Sequence, residues 1–366
     1  MKRLFYLLVF STLASNVSFS QNYAAVVLED GFWGYINETG TYILKPMYNA
    51  AKDYNSGVGL IKNIDEWYYV NRTGDIINNT QEYIARYNFS EGLARVEQNN
   101  MWGYINTNGK IIIQPQFATA SDFKNGFAAV KLGDVWGFID KKGNYFVSPQ
   151  FLGAKDFEDG GAMVKNETGW VYLNKNKTTF PLHEEYKVNK QFSNEMAAVL
   201  KDKLWGYINT NGQMLIQPQY TDADKFVDGF APVRVDKLWG YINKKGEFLF
   251  PGKFEVAKEF SEGMALVRKN GKYFYINANG QEIVKNSDFV VKYNFHNGFA
   301  RIIQNGKWGF IDKTGKTVIP AKYDKAEDFS NGFAAVLVSG KWGFIDKSGK
   351  LIVEAKYKKV GDFKKL

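Results

Sequence analysis

Lys307-Trp308-Gly309-Phe310-Ile311-Asp312-Lys313-Thr314-Gly315-Lys316 is followed 34 residues later by Lys341-Trp342-Gly343-Phe344-Ile345-Asp346-Lys347-Ser348-Gly349-Lys350. Working outward from this pair, the tryptophans fall at 33, 67, 102, 136, 170, 205, 239, 308 and 342. Successive gaps are 34 or 35 residues, except one of 69 whose midpoint holds Tyr273. Ten modules follow, and every tryptophan stands at one phase of the repeat. A fixed period of this length marks a repeat architecture.

Each module carries three further fixed aromatic positions. One lies two residues after the anchor (Tyr35, Tyr69, Tyr104, Phe138), one about fifteen after it (Tyr48, Phe117, Phe151), and one six beyond that (Tyr54, Phe89, Phe123, Phe157). These phases absorb 40 of the 60 aromatic residues, so the aromatic richness is architecture. Within the fourth module three runs read as strands, at 127–131, 136–140 and 145–148. The second and third are joined by Asp140-Lys141-Lys142-Gly143, a turn that needs a left-handed glycine. Pro149, like Pro46, Pro115 and Pro218, is expected to stop the third strand, because proline cannot donate to a ladder. Alternation sends Trp136 and Phe138 to one face and Gly137 and Ile139 to the other. Neither face is polar, so the strand must be covered on both sides, and Gly137 invites a close backbone neighbour. A lone module cannot bury this surface, but stacked neighbours can. The indoles are expected to be the mortar between modules.

A second rhythm lies above the first. The modules anchored at Trp67, Trp170 and Tyr273 lack the Trp-Gly pair, reading Trp67-Tyr68, Trp170-Val171 and Tyr273-Phe274, and they lie 103 residues apart. Duplication of a three-module block accounts for this, as does a superhelix with three modules per turn. A propeller blade of four strands needs about 40–50 residues. The chain therefore reads as all-β, a tandem array of ten three-stranded modules forming an open solenoid or superhelix, with a closed, β-propeller-like array as the alternative.

The decapeptides quoted above, with the Asp-Phe-x-x-Gly-x-Ala-x-Val continuation at Asp122–Val130 and Asp328–Val336, resemble the WG-repeat family of bacterial proteins. Seven modules keep the Trp-Gly pair. The resemblance covers essentially all of residues 21–366 and implies a tandem β-repeat array, often behind a signal peptide, with no catalytic residues to carry over. Exported members of this kind resemble proteins of Gram-negative, Bacteroidota-type bacteria, which implies the periplasm or the cell surface.

Met1-Lys2-Arg3, the apolar run Leu4–Leu13 and Ser18-Phe19-Ser20 read as a signal peptide over residues 1–20. The run is about half the roughly 20 residues that span a bilayer. The single domain 21–366 then carries 45 basic and 38 acidic residues, a net +7. With no cysteine, disulfide scaffolds and thiolate sites are excluded.

No catalytic, cofactor-binding or metal-ligating residue is expected. His183 and His296, the two histidines, stand at different phases and read as ordinary surface residues. Asp140, Asp156, Asp312, Asp328 and Asp346 recur at fixed phases, so they read as turn and loop caps rather than the two differently tuned carboxylates of a glycosidase. Lysines gather in turns such as Lys141-Lys142, Lys244-Lys245 and Lys358-Lys359, which reads as a solubilising surface and not as a nucleic-acid platform. The expected function is a non-enzymatic, exported scaffold that binds protein partners of the cell envelope. The alternative is a binder of peptidoglycan or polysaccharide, using aromatics outside the fixed phases such as Tyr68, Phe274 and Tyr145.

Overall fold

A computed structural model describes residues 22–366 other than 78–82, 85–86, 159, 182–186, 189–191 and 285–288. The leader read at 1–20 and His183 lie outside the described residues. Among the described residues every regular element is a β-strand, and the strands form ten small sheets, one per module.

The fourth module shows the plan. Its sheet runs Thr119–Ala120, Phe127–Leu132, Val135–Asp140, Tyr145–Phe151, each antiparallel to the next. The first strand has only two residues, so a fourth strand is added at almost no cost in length. A repeat of 34 residues therefore holds a four-stranded blade.

Both turns at one end of the blade are set by local chemistry. Asp140 Oδ1 accepts the N–H groups of Lys142 and Asn144 at 2.8 and 2.9 Å, while Gly143, at φ +86°, donates to the Asp140 carbonyl at 2.9 Å. The other turn is Asn125-Gly126, with φ of +50° and +87°, flanked by reciprocal bonds between Lys124 and Phe127. Two successive left-handed residues are the signature of a two-residue hairpin whose twist matches its strands.

Gly137 explains the anchor strand. A Cβ there would lie 2.6 Å from the Val147 carbonyl oxygen and 2.7 Å from Pro149 N. The third strand bulges over this glycine, shifting register between Trp136 and Phe138. It therefore runs through Pro149 to Phe151 rather than stopping at the proline, because a bulged edge strand does not need the missing N–H. The same crowding recurs at all seven Trp-Gly glycines, at 2.4–2.6 Å. Where Tyr68, Val171 and Phe274 replace them, the described residues of the third strand pair at a single bridge at Ile76, over Thr179–Pro181 and over Glu282–Ile283.

Successive blades are joined by apolar clusters. Phe138 packs with Val164, Val171 and Leu173 of the next blade, and Ile139 with Tyr104 and Ile113 of the preceding one. Both faces of the strand are thus covered, as alternation requires. The mortar is the second aromatic rather than the indole. Phe138 and Tyr104 are wholly buried, whereas Trp136 is half-buried and Trp170 is 43% exposed. Where the second aromatic is a tyrosine, its hydroxyl is satisfied within the joint: Tyr104 Oη donates to the Ser121 carbonyl at 2.7 Å and Tyr207 Oη to that of Asp224 at 2.7 Å.

The tenth joint closes the array. Lys359–Val360 pairs with Tyr23–Glu29, supplying the first sheet with a two-residue edge like that of the fourth module. Phe344, Tyr357 and Phe363 form one cluster with Ala25, Val27 and Ile36. The open solenoid and the three-modules-per-turn superhelix are therefore replaced by a ring of ten blades, the closed, propeller-like arrangement. Ten is not a multiple of three, yet each joint needs only its two neighbours, so the divergent blades impose no symmetry on the ring.

Candidate functional site

The residues singled out by type are mostly consumed by structure. Asp346 accepts bonds from Ser348 Oγ and from the N–H groups of Ser348 and Lys350, and the hydroxyl bond foremost holds its carboxyl below the usual range. Asp156 pairs with Lys124 at 2.6 Å, and His296, exposed, lies 3.6 Å from Asp328. Phe274 is buried, Tyr68 half-buried, and Tyr145 exposed. Among the described residues no group of three His, Asp or Glu is placed to hold a metal ion.

What the sequence does not single out is a pocket of about 540 Å³ at the seam where the ring closes. It is lined by Val26 and Trp33 of the first blade, by Ala51, Lys52, Asp53 and Asn55 beyond it, by Asn88, and by Lys359, Val360, Gly361 and Lys364 of the chain's last segment. Asp53 is half-buried, and desolvation foremost raises its carboxyl above the usual value, with Asp362 adding to the rise and Lys364 opposing it. Asn88 Oδ1 is buried without a hydrogen-bond partner, which is uncommon for an interior polar atom.

The repeat explains this pocket. Arg95 pairs in register with Tyr104, Arg301 with Phe310, and Val26 with Tyr35, so the three occupy one position of the blade. Arg95 stacks 3.8 Å over the Tyr87 ring and 5.7 Å from Trp102, donates to the Ala120 carbonyl at 2.7 Å, and meets Asp122 at 2.9 Å. Arg301 repeats the arrangement with Tyr293 at 4.1 Å, Trp308 at 5.5 Å, the Ala326 carbonyl at 2.9 Å and Asp328 at 2.6 Å. At the seam Trp33, Ala51 and Asp53 stand where Trp102, Ala120 and Asp122 do. The arginine is replaced by Val26 and the tyrosine by Gly361, whose N–H donates to the Val26 carbonyl at 2.9 Å. Two large side chains are missing, and the pocket is the space they leave. A Cβ on Gly361 would lie 2.3 Å from Asp53 Oδ1 and 2.7 Å from Val26 Cγ1, so that glycine keeps the carboxylate in place.

No curated protein matches the chain. Among solved structures it is similar to a eukaryotic initiation factor, at 11% identity over 94% of this chain and 98% of that one, with a TM-score of 0.48. It is similar also to Hsv2p of Kluyveromyces lactis, at 9% identity over 72% and 92% with a TM-score of 0.31, and to the dihydro-heme d1 dehydrogenase NirN, at 11% over 97% and 78% with a TM-score of 0.37. Likeness at this level bears on neither ligand nor activity. The model of the WG containing repeat matches residues 33–67, 82–102, 102–136, 136–170, 205–239, 239–273, 273–308, 308–342 and 342–365. Nine matches spread over ten joined blades, with residues 68–81 and 171–204 unmatched between them, cover most of the ring: the chain belongs to the WG containing repeat family.

Proposed function

We propose that the protein is a non-enzymatic binding scaffold, exported after removal of residues 1–20, whose partners are proteins of the bacterial envelope. The observation that carries this reading is the ring itself. Each Trp-Gly blade contributes the same exposed turn to one rim, so Lys141, Lys244, Lys313 and Lys347, far apart in sequence, share a surface. Repeat arrays of this kind present long composite surfaces, and the chain's net positive charge favours partners with acidic faces. Capture from native envelope by the tagged, mature ring tests the reading: one stoichiometric protein partner is expected, and recovery of none overturns it.

A glycan reading has its own observation, the exposure of Trp170 (43%) and Tyr273 (37%) at one phase of two divergent blades. Retention on insoluble peptidoglycan or polysaccharide, competed by soluble sugar, would favour it over the protein-binding reading.

A further inference from the structure

We propose that the seam pocket is a guanidinium site, entered by an arginine side chain of a protein partner, which takes there the place that Arg95 and Arg301 hold at two other joints. This rests on the reading of the ring as a binding scaffold. The ring already contains the bound form twice, with the cation sandwiched by aromatic faces, bonded to a strand carbonyl and paired with the Asp of the closing loop. At the seam the same tryptophan, carbonyl and carboxylate positions are present and the cation's own volume is open.

Two further features match that ligand. Asn88 Oδ1 is a buried acceptor lacking a donor, and guanidinium brings five N–H donors in a fixed fork. Trp33 lines the pocket and is an indole, the ring on which guanidinium stacks best. The lysines that line the pocket do not already fill this role. Lys52 Nζ lies 5.1 Å over the Trp67 ring, Lys364 Nζ is 3.4 Å from Asp362, and Lys359 is exposed. Lys364 is nevertheless the ligand's rival, since its counterparts Lys124 and His296 face the Asp of the following module, at 2.6 and 3.6 Å.

The test titrates the full mature ring with capped amino-acid probes while following the Trp33 indole N–H signal by NMR, assigned through Trp33→Phe. Nα-acetyl-arginine amide is expected to shift that signal saturably and to bind at least about ten-fold tighter than the lysine amide, because only guanidinium combines the fork with stacking. Asp53→Asn is expected to weaken binding at least about ten-fold, and Lys364→Gln to tighten it. Val26→Arg should abolish it by filling the pocket from within, with the melting temperature unchanged or raised; if that variant does not fold, Asp53→Asn decides. Tighter binding of Nα-acetyl-glutamate amide, full binding by Val26→Arg, or no saturable shift with any probe would overturn the proposal. Tighter binding of free arginine than of the capped form would overturn the protein-borne source. Capture of an envelope partner undiminished by Val26→Arg sinks the pocket and leaves the scaffold standing. A saturable arginine-amide shift with no captured partner sinks the scaffold and leaves a guanidinium site.

Discussion

Gly361 donates its backbone N–H to the Val26 carbonyl at 2.9 Å, so a residue of the last module bonds one of the first. This bond repeats, across the seam, the one from Ser121 to Ala129 within the chain. The tenth joint is therefore built like those at which Lys155, Asp224 and Glu327 donate to Met163, Pro232 and Ala335, and its energetics should be comparable.

Phe344→Ala at the seam and Phe138→Ala in the interior are expected to destabilise to a similar degree, about 3–5 kcal/mol each, the usual range for a buried aromatic. Both rings are fully buried between adjacent blades. Trp170→Ala, removing a ring 43% exposed, should cost markedly less. Urea unfolding of the three variants checks this. A small loss for Phe344→Ala alone would mean that the ring opens in solution.

Gly137→Ala should cost about 1–3 kcal/mol, the range for overpacking, with the damage confined to one strand. The added Cβ meets the Val147 carbonyl oxygen at 2.6 Å, so Tyr145–Phe151 must lift away from its partner. Hydrogen exchange should accelerate at 145–151 and remain unchanged at 127–132; uniform acceleration would contradict the local account.

Much of this was legible in the sequence, for identifiable reasons. The tryptophan phase exposed the repeat, and Asp140 with Gly143 exposed the hairpin, because both are local signals. Closure was not legible. Lys359–Val360 is too short to show any periodicity, and its partner lies more than 300 residues away. Alternation placed Trp136 and Phe138 on one face but carries no information on how deeply each is covered. The seam pocket is marked in sequence only by Val26 and Gly361 standing where Arg95 and Tyr87 stand elsewhere, a comparison that makes sense only once the two ends are known to touch.

The turn aspartates predict a loss of stability in acid. Hydrogen bonds to Asp140, Asp312 and Asp346 outweigh their desolvation and lower their carboxyls in the folded chain, the hydroxyl of Ser348 leading at Asp346. A lowered group contributes stability that is full above its unfolded value, about 4, and is lost as pH falls through the depressed folded value. Asn106 makes the same turn uncharged, accepting from the N–H groups of Asn108 and Lys110 at 3.0 and 3.1 Å. Asp346→Asn should therefore fold normally at pH 7 and flatten part of the acid loss; unfolding curves between about pH 7 and 3 that match those of the parent chain would refute the assignment.

Asp53 carries the opposite sign. Its carboxyl is raised in the folded ring, chiefly by desolvation, so the ionised form is disfavoured by folding and its contribution worsens as pH rises through the unfolded value. Lys364 and Asp362 act on it, Lys52 and Lys359 share the pocket's lining, and the attraction of Lys364 does not offset the burial. Asp53→Asn removes the penalty at neutral pH and should raise the melting temperature there, with the gain vanishing as the medium is made acid enough to protonate Asp53 in the parent chain. The same substitution should weaken arginine-amide binding. A carboxylate kept at a cost to stability beside an open pocket fits the usual exchange between stability and function. If Asp53→Asn instead lowers the neutral-pH melting temperature, the carboxylate is holding the seam together through Lys364, and its role is structural.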